Sequence, residues 1–339
     1  MYSKEEILGL IDDIRKELGM IASSTPSISR VEYNEDKDLL LIVATDRSDK
    51  AVIIGPGGWV VGRLKEMLNI GQIHVEAETD LIVRRIRIEE SIGKLKEVLN
   101  SDVSKKVKFS LKNYVLPLLE NADFFPDLPV NEESESHLTT IALSGGGDSS
   151  STLAIAKMAG MNPIAITMDP GTIVLPSQLK ENIEFVVKEL DVPHYYLDPP
   201  HSLEEIWEKA LKGHIHPCGR CHAELKKSLY EYNIREKIPL IMFGNLLPTG
   251  TQAIKVINRD LVRINLLAAL SLKKGQGEEL LKKIGIEIPS FGYACPLLRE
   301  VHKKHPHLRR YSIQRILRKT RAGIMEPGQA LKQIYSILR

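Results

Sequence analysis

Aromatic side chains are scarce in this chain. Six Phe, two Trp and ten Tyr make up 5% of its 339 residues, so the hydrophobic cores must rest on Ile, Leu and Val. Cysteine is scarcer still, with three in all. An odd count, with two of them three positions apart, argues against a disulfide framework and for a reducing, cytoplasmic setting. No apolar run approaches the roughly 18 residues that span a bilayer. The start, MYSKEEILGL, is charged within four residues and reads as neither a signal peptide nor a membrane helix. No membrane partner is therefore expected. Net charge is nearly absent as well, +2 from 46 Lys and Arg against 44 Asp and Glu. With 43% hydrophobic and 27% charged residues, the chain is neither collagen-like nor wholly disordered. Its length corresponds to about two domains.

The first hundred residues read as a small α+β unit. Ile7, Leu8, Leu10, Ile11, Ile14 and Leu18 recur at helical spacing over 3–19. Strand-like runs at 27–33 and 39–45 follow, joined by a polar turn. A short apolar stretch from Ala51 is then broken by Gly55-Pro56-Gly57-Gly58 and resumes as a helix. A strand at 72–77 and a long polar helix at 81–99 complete the unit. Residues 101–138 are expected to be a helix and a linker, since 122–138 shift to Pro, Asp, Glu and Ser with no period. From 139 strands alternate with helices, which implies an α/β domain with a parallel sheet over 139–310. A basic helical region occupies 311–339.

The run Thr139–Leu143 is apolar and β-branched, and Ser144-Gly145-Gly146-Gly147-Asp148-Ser149-Ser150 follows it directly, opening a helix. Three glycines let backbone turn sharply and approach a ligand, and a helix N-terminus offers unpaired amides to an anion. No Lys-Ser/Thr follows the glycines, so this is not a Walker loop. Ser-Gly-Gly-x-Asp-Ser at a strand end resembles the signature of the PP-loop ATP pyrophosphatases, whose fold is that of the adenine nucleotide alpha hydrolases. The resemblance implies ATP and Mg²⁺ as ligands. It assigns ATP binding to Ser144, Gly145, Gly146, Gly147, Asp148, Ser149 and Ser150, with Met168 and Gly244 at neighbouring strand ends, and gives Asp148 a catalytic role.

Cys218 and Cys221 lie in His214-Ile-His216-Pro-Cys-Gly-Arg-Cys-His222, and Cys295 stands alone. Two thiolates at i and i+3 with a distant third fit one metal or one cluster. Zinc with His214, His216 or His222 as fourth ligand, a redox dithiol, and unrelated buried cysteines are the alternatives. The order of phosphate loop, Cys-x-x-Cys and distant single Cys resembles the PP-loop tRNA thiolation enzymes, which make 2-thiocytidine, 2-thiouridine or 4-thiouridine. That resemblance implies a [4Fe–4S] cluster on Cys218, Cys221 and Cys295 with one open iron. It also implies a sulfide or sulfur-carrier donor, and a catalytic lysine at Lys226 or Lys227. Two features depart from the family. Gly244-Asn245-Leu-Leu-Pro-Thr-Gly250 lacks the acid pair often found there, and the flanking zinc-ribbon cysteines are missing.

Gly55-Pro56-Gly57-Gly58, in its order of helices and strands, resembles the Gly-x-x-Gly loop of KH modules, which implies an RNA contact. From Arg299 to Arg321 nine Lys or Arg stand against one acid. Such a concentration suits a polyanion, with Arg309, Arg310, Arg315, Arg318 and Arg321 as candidate tRNA contacts. The resulting expectation is an ATP-dependent tRNA sulfurtransferase, with a homodimer among its forms. A sulfonucleotide reductase-like enzyme and a non-catalytic RNA-binding protein with structural zinc are the competing readings.

Overall fold

A computed structural model describes all 339 residues except 1, 21–24, 123, 124, 126, 129, 290, 291, 293 and 294. The chain divides into two compact units, Met1–Ile86 and Arg87–Arg339.

The first unit opens with α1 (Lys4–Glu17), where Ser3 and Glu6 cap each other reciprocally. Ile7, Ile11 and Ile14 share one face of α1 and are buried. Strands β1 (Ile28–Asn34) and β2 (Leu39–Ala44) pair antiparallel, and β3 (Gln72–Ala77) runs parallel to β2. That parallel pair needs a crossover, supplied by α2 (Arg47–Ile54), capped by Asp46, and α3 (Trp59–Leu68). The glycine turn joins the two helices, with φ of +72°, +63° and +82° at Gly55, Gly57 and Gly58. A Cβ at Gly55 would stand 2.3 Å from Val60 Cγ2, so the turn excludes any other residue there. Helix α4 (Glu78–Asn100) carries the chain across the division. The boundary thus falls at 86/87, inside a continuous helix, and not near residue 100.

The second unit continues with α5 (Lys105–Ser110) and α6 (Leu116–Glu120), joined through a π turn. The segment 122–138, expected as an interdomain linker, belongs to this unit. Amides of Asn131, Ser134 and Leu138 donate to the carbonyls of Met158, Gly160 and Met161, and Leu128 and Leu138 are buried in its core. Its polar composition marks irregular backbone whose hydrogen bonds go to a neighbouring helix end. Four of its positions, 123, 124, 126 and 129, lie outside the described residues.

Then β4 (Thr139–Ala142), α7 (Gly147–Met158), β5 (Ile164–Met168), α8 (Ser177–Glu189) and β6 (His194–Leu197) alternate as the sequence implies. Helices α9 (Ser202–Leu211) and α10 (Cys218–Arg235) lead to β7 (Leu240–Phe243). A hairpin the sequence reading does not anticipate, β8 (Ile254–Asn258) and β9 (Leu261–Asn265), completes the sheet. Helices α11 (Leu266–Ala269), α12 (Gln276–Lys283), α13 (Pro296–Lys304), α14 (Arg309–Arg321) and α15 (Pro327–Leu338) follow. The strand order is β6-β5-β4-β7-β9-β8, parallel throughout except for β8 against β9. The fold class is therefore the expected α/β. Every residue of β5 and β7 is buried, as in strands covered on both faces. The chain winds from β4 out to β6, then returns on the other side of β4 as β7. At such a reversal the carboxyl ends of two neighbouring strands leave a crevice, and Ser144–Gly146 leaves β4 at that point. Among the described residues no helix is long and apolar enough to cross a membrane.

Candidate active site

The loop after β4 is fixed by short contacts. Gly145 has φ +71°, and a Cβ there would stand 2.3 Å from the Leu179 carbonyl oxygen. The buried Asn182 amide donates to the Gly145 carbonyl at 3.0 Å, pinning the loop to α8. Ser144 is exposed, and its Oγ lies 3.1 Å from Ser149 Oγ. Hydroxyls of Ser149 and Ser150 donate to the Gly146 carbonyl at 3.0 and 3.1 Å. Ser150 is fully buried, so it braces the helix. Gly146 is the N-cap of α7 and supplies no side chain to cap the first amides there. Amides at a helix start, small hydroxyls and bare backbone together form an anion cradle. Met168 ends β5 and is buried. Gly244 follows β7, and a Cβ there would meet the Asp148 carbonyl carbon at 2.6 Å. Its glycine lets β7 abut the start of α7.

Several charged groups around the loop escape the sequence reading. Lys274 Nζ lies 2.8 Å from Asp148 Oδ1 and 3.5 Å from Glu278 Oε1. Burial opposes the charge on Lys274, but Asp148 and Glu278 outweigh it and hold its pKa above the usual lysine value. Lys319, in the last turn of α14, is half-buried. Burial pushes its pKa down, with Asp148 favouring the charge and Lys274 and Arg315 opposing it. Arg315, one turn earlier, also lies within electrostatic reach of His216, His222 and His302. Lys226 is half-buried, and burial, Arg263 and Lys255 all lower its pKa. Lys227 is exposed. The two lysines expected to be interchangeable thus face different surroundings, and only Lys226 turns toward this cationic wall. Arg263 Nε is buried without a hydrogen-bond partner among the described residues.

The three cysteines are free and half-buried. Cys218 and Cys221 form the first turn of α10, and Cys295 precedes α13, so all three sit at helix N-termini. Burial pushes Cys221 up to about 11, opposed by the indole N–H of Trp207. That buried Nε1 meets no conventional acceptor. Cys295 packs with Trp207, Leu297 and Val301. The donor set suits iron or zinc in kind. Its spacing is not closed, for among the described residues no three His, Cys, Asp or Glu side chains stand together as an ion-binding group. The approach to Cys295 at 290, 291, 293 and 294 lies outside the described residues. Of the histidines weighed as a fourth ligand, His216 is engaged elsewhere. Its Nε2 lies 3.1 Å from Ser312 Oγ, itself 3.2 Å from His302 Nε2. Burial, Arg315 and His302 push His216 down to about 4. His222 stands in a crowded cleft still open to solvent, and desolvation with Lys226, Arg315 and Arg263 takes it to about 4 as well. His214 is exposed.

The basic C-terminal stretch divides between structure and surface. Arg309 donates to the carbonyls of His302 and Leu338 at 3.1 and 3.2 Å. His305 lies 2.8 Å from the Leu211 carbonyl. Arg315 and Lys319, at i and i+4, are half-buried, whereas Arg310, Arg318 and Arg321 are exposed. In the first unit Trp59, directly after the glycine turn, is 69% exposed.

No protein-family model matches the chain. It is 27% identical over 264 residues to an uncharacterized protein of Methanocaldococcus jannaschii, covering 78% of this chain and 96% of that one. Among solved structures it is similar to the U34-tRNA thiolase NcsA of Methanococcus maripaludis with its [4Fe-4S] cluster. The identity there is 16% and the TM-score 0.37, over 73% of this chain and 79% of the other. It is also similar to the NMN synthetase of Francisella tularensis, at 16% identity and a TM-score of 0.39, over 69% of this chain and 93% of that one.

Proposed function

We propose that the chain is an ATP-dependent tRNA sulfurtransferase. The observation that carries this reading is a shared anchor. Lys274 stands 2.8 Å from Asp148 in the loop, and its amide is hydrogen-bonded to Ile324 just past the basic helix α14, so the nucleotide site and a cationic surface suited to RNA are built on adjoining segments. In the proposed reaction a carbonyl oxygen of uridine or cytidine attacks the α-phosphorus of ATP. The bond to the β-phosphate oxygen breaks, and pyrophosphate leaves into the cradle of Ser144, Gly146 and Ser149. Adenylation is needed because a nucleobase carbonyl oxygen is a very poor leaving group. Hydrosulfide then attacks the activated carbon, AMP departs with the original oxygen, and the proton of hydrosulfide goes to solvent. Net, C=O becomes C=S. Arg315 and Lys226 hold the anionic intermediate against the cleft wall. Cys218, Cys221 and Cys295 are the residues that would hold an iron–sulfur cluster. When bound, such a cluster supplies an iron free of protein ligands on which hydrosulfide is available at neutral pH.

The first unit supports tRNA as the substrate. Its glycine turn exposes backbone between α2 and α3, in the element order of a KH-like module, with Trp59 beside it. Mass spectrometry of tRNA nucleosides tests the whole reading. A strain lacking this chain should lose one thionucleoside and regain it on complementation, and anaerobically purified protein should hold about four irons per chain. An unchanged thionucleoside profile would overturn the assignment. One zinc and no iron would move sulfur delivery away from the cysteines.

A further inference from the structure

Asp148 is paired with Lys274, and the turn of Lys274 is hydrogen-bonded to the end of α14, which carries Arg315 and Lys319. Lys274 is also paired with Glu278. Among the described residues the side chains of Lys319 and Arg315 make no ion pair or hydrogen bond, although both are half-buried. A lysine withdrawn from water without a counter-ion is costly, and the charge is retained where an anion comes to it. The fold does not let this lysine swing away. The Lys274 amide donates to the Ile324 carbonyl at 2.7 Å, just past α14. Arg87 Nη1 donates to the Ala322 carbonyl at 2.7 Å, and Ile324 is buried in the main core. The Ile324 amide in turn donates to the Lys319 carbonyl at 3.0 Å, so the last turn of α14 and the turn carrying Lys274, whose side chain reaches Asp148 in the loop, are fixed to each other.

The cradle itself consists of the first amides of α7 and the hydroxyls of Ser144 and Ser149. Two ammonium groups beyond it extend the site along a chain of phosphates. Resting on the reading that the loop holds a nucleotide, we propose that Lys274 and Lys319 form a two-point clamp on the β- and γ-phosphates, making the site selective for a polyphosphate over a monophosphate. Lys319 is the half that waits unpaired. Lys274 exchanges the Asp148 carboxylate for a phosphate oxygen, which frees Asp148 within the loop. After the reaction the clamp holds pyrophosphate and has no grip on AMP. The C-terminal helix thus contributes its inner face to the nucleotide site and only its outer face to RNA.

Calorimetric titration of the full-length protein with ATP, inorganic pyrophosphate and AMP tests this, using Lys274→Met, Lys319→Met and Lys319→Arg. Both methionine variants should lose affinity for ATP and pyrophosphate on the order of 10- to 100-fold, the size of a charge-assisted contact. AMP affinity should stay unchanged, which shows that the variants are folded, and Lys319→Arg should recover most of the loss. If pyrophosphate affinity is unaltered in both variants, or AMP affinity falls along with it, the clamp is wrong while the loop remains a nucleotide site. If the unaltered protein binds neither ATP nor pyrophosphate, the reading beneath the clamp fails and the clamp with it.

Discussion

At the scale of single residues, the three consecutive glycines of the loop have three different tasks. Gly145 has a left-handed backbone and no space for a Cβ. Gly146 is extended, and a Cβ there would meet only Ser144 Oγ at 3.8 Å. A Cβ at Gly147 would press on the movable tip of Glu278. Gly145→Ala should therefore destabilise the fold by about 2–4 kcal/mol, lowering Tm by roughly 5–15 °C for a unit of this size. Gly146→Ala should leave Tm nearly unchanged while weakening ATP binding, because its methyl group occupies the anion cradle. Thermal melts paired with ATP titrations check both. Equal melting of the two variants would mean that the loop is not held as described. Ser144 and Asp148 were legible because the motif sits in one short stretch of chain. Lys274 pairs with Asp148 across 126 residues, and neither Lys274 nor Lys319 carries any local mark of its role.

At the scale of elements, α14 is a helix with two cationic faces that net charge cannot tell apart. Composition identifies the surplus of arginine and lysine, but only packing shows that Arg309 ties down α15 and that Lys319 turns inward. His302 and His305, interleaved with them, likewise hold the structure through Ser312 and Leu211. Arg310 and Arg318 stay exposed on the outer face, where the proposed function seats RNA. Replacing Arg310 and Arg318 by Gln should weaken tRNA binding and flatten its salt dependence by about one unit of log–log slope per lost phosphate contact. Filter-binding isotherms at a series of salt concentrations read this directly, and an unaltered slope would assign that face to solvent alone. Periodicity served well for α1 and for the strands with matching alternation. It failed at β8 and β9, where one strand has Val256 exposed while Val262 of its partner is buried. It also failed at 86/87, because an unbroken helix carries no boundary signal.

At the scale of the whole molecule, the proposed function assigns RNA holding to the first unit and RNA activation to the second. The first unit offers a glycine turn whose geometry is set by Val60 and an indole left open to solvent. Base stacking on an aromatic ring is worth about 1–3 kcal/mol. Trp59→Ala in the full chain should accordingly raise the Kd for tRNA by roughly tenfold, and RNA should quench the fluorescence that Trp59 contributes. Affinity and fluorescence both indifferent to Trp59 would assign the turn to folding alone. The second unit has a property of a different kind, which follows from the hydrogen bond between Lys274 and Ile324. Appended nucleic-acid tails are commonly shed, swapped or clipped without harm to the catalyst they serve. This chain cannot be pruned in that way. On the proposed clamp and RNA face, a protease cut before α14, or a fusion joint engineered there, would remove part of the phosphate site together with the RNA grip. The end of α14 and the turn of Lys274 thus keep or lose their geometry together.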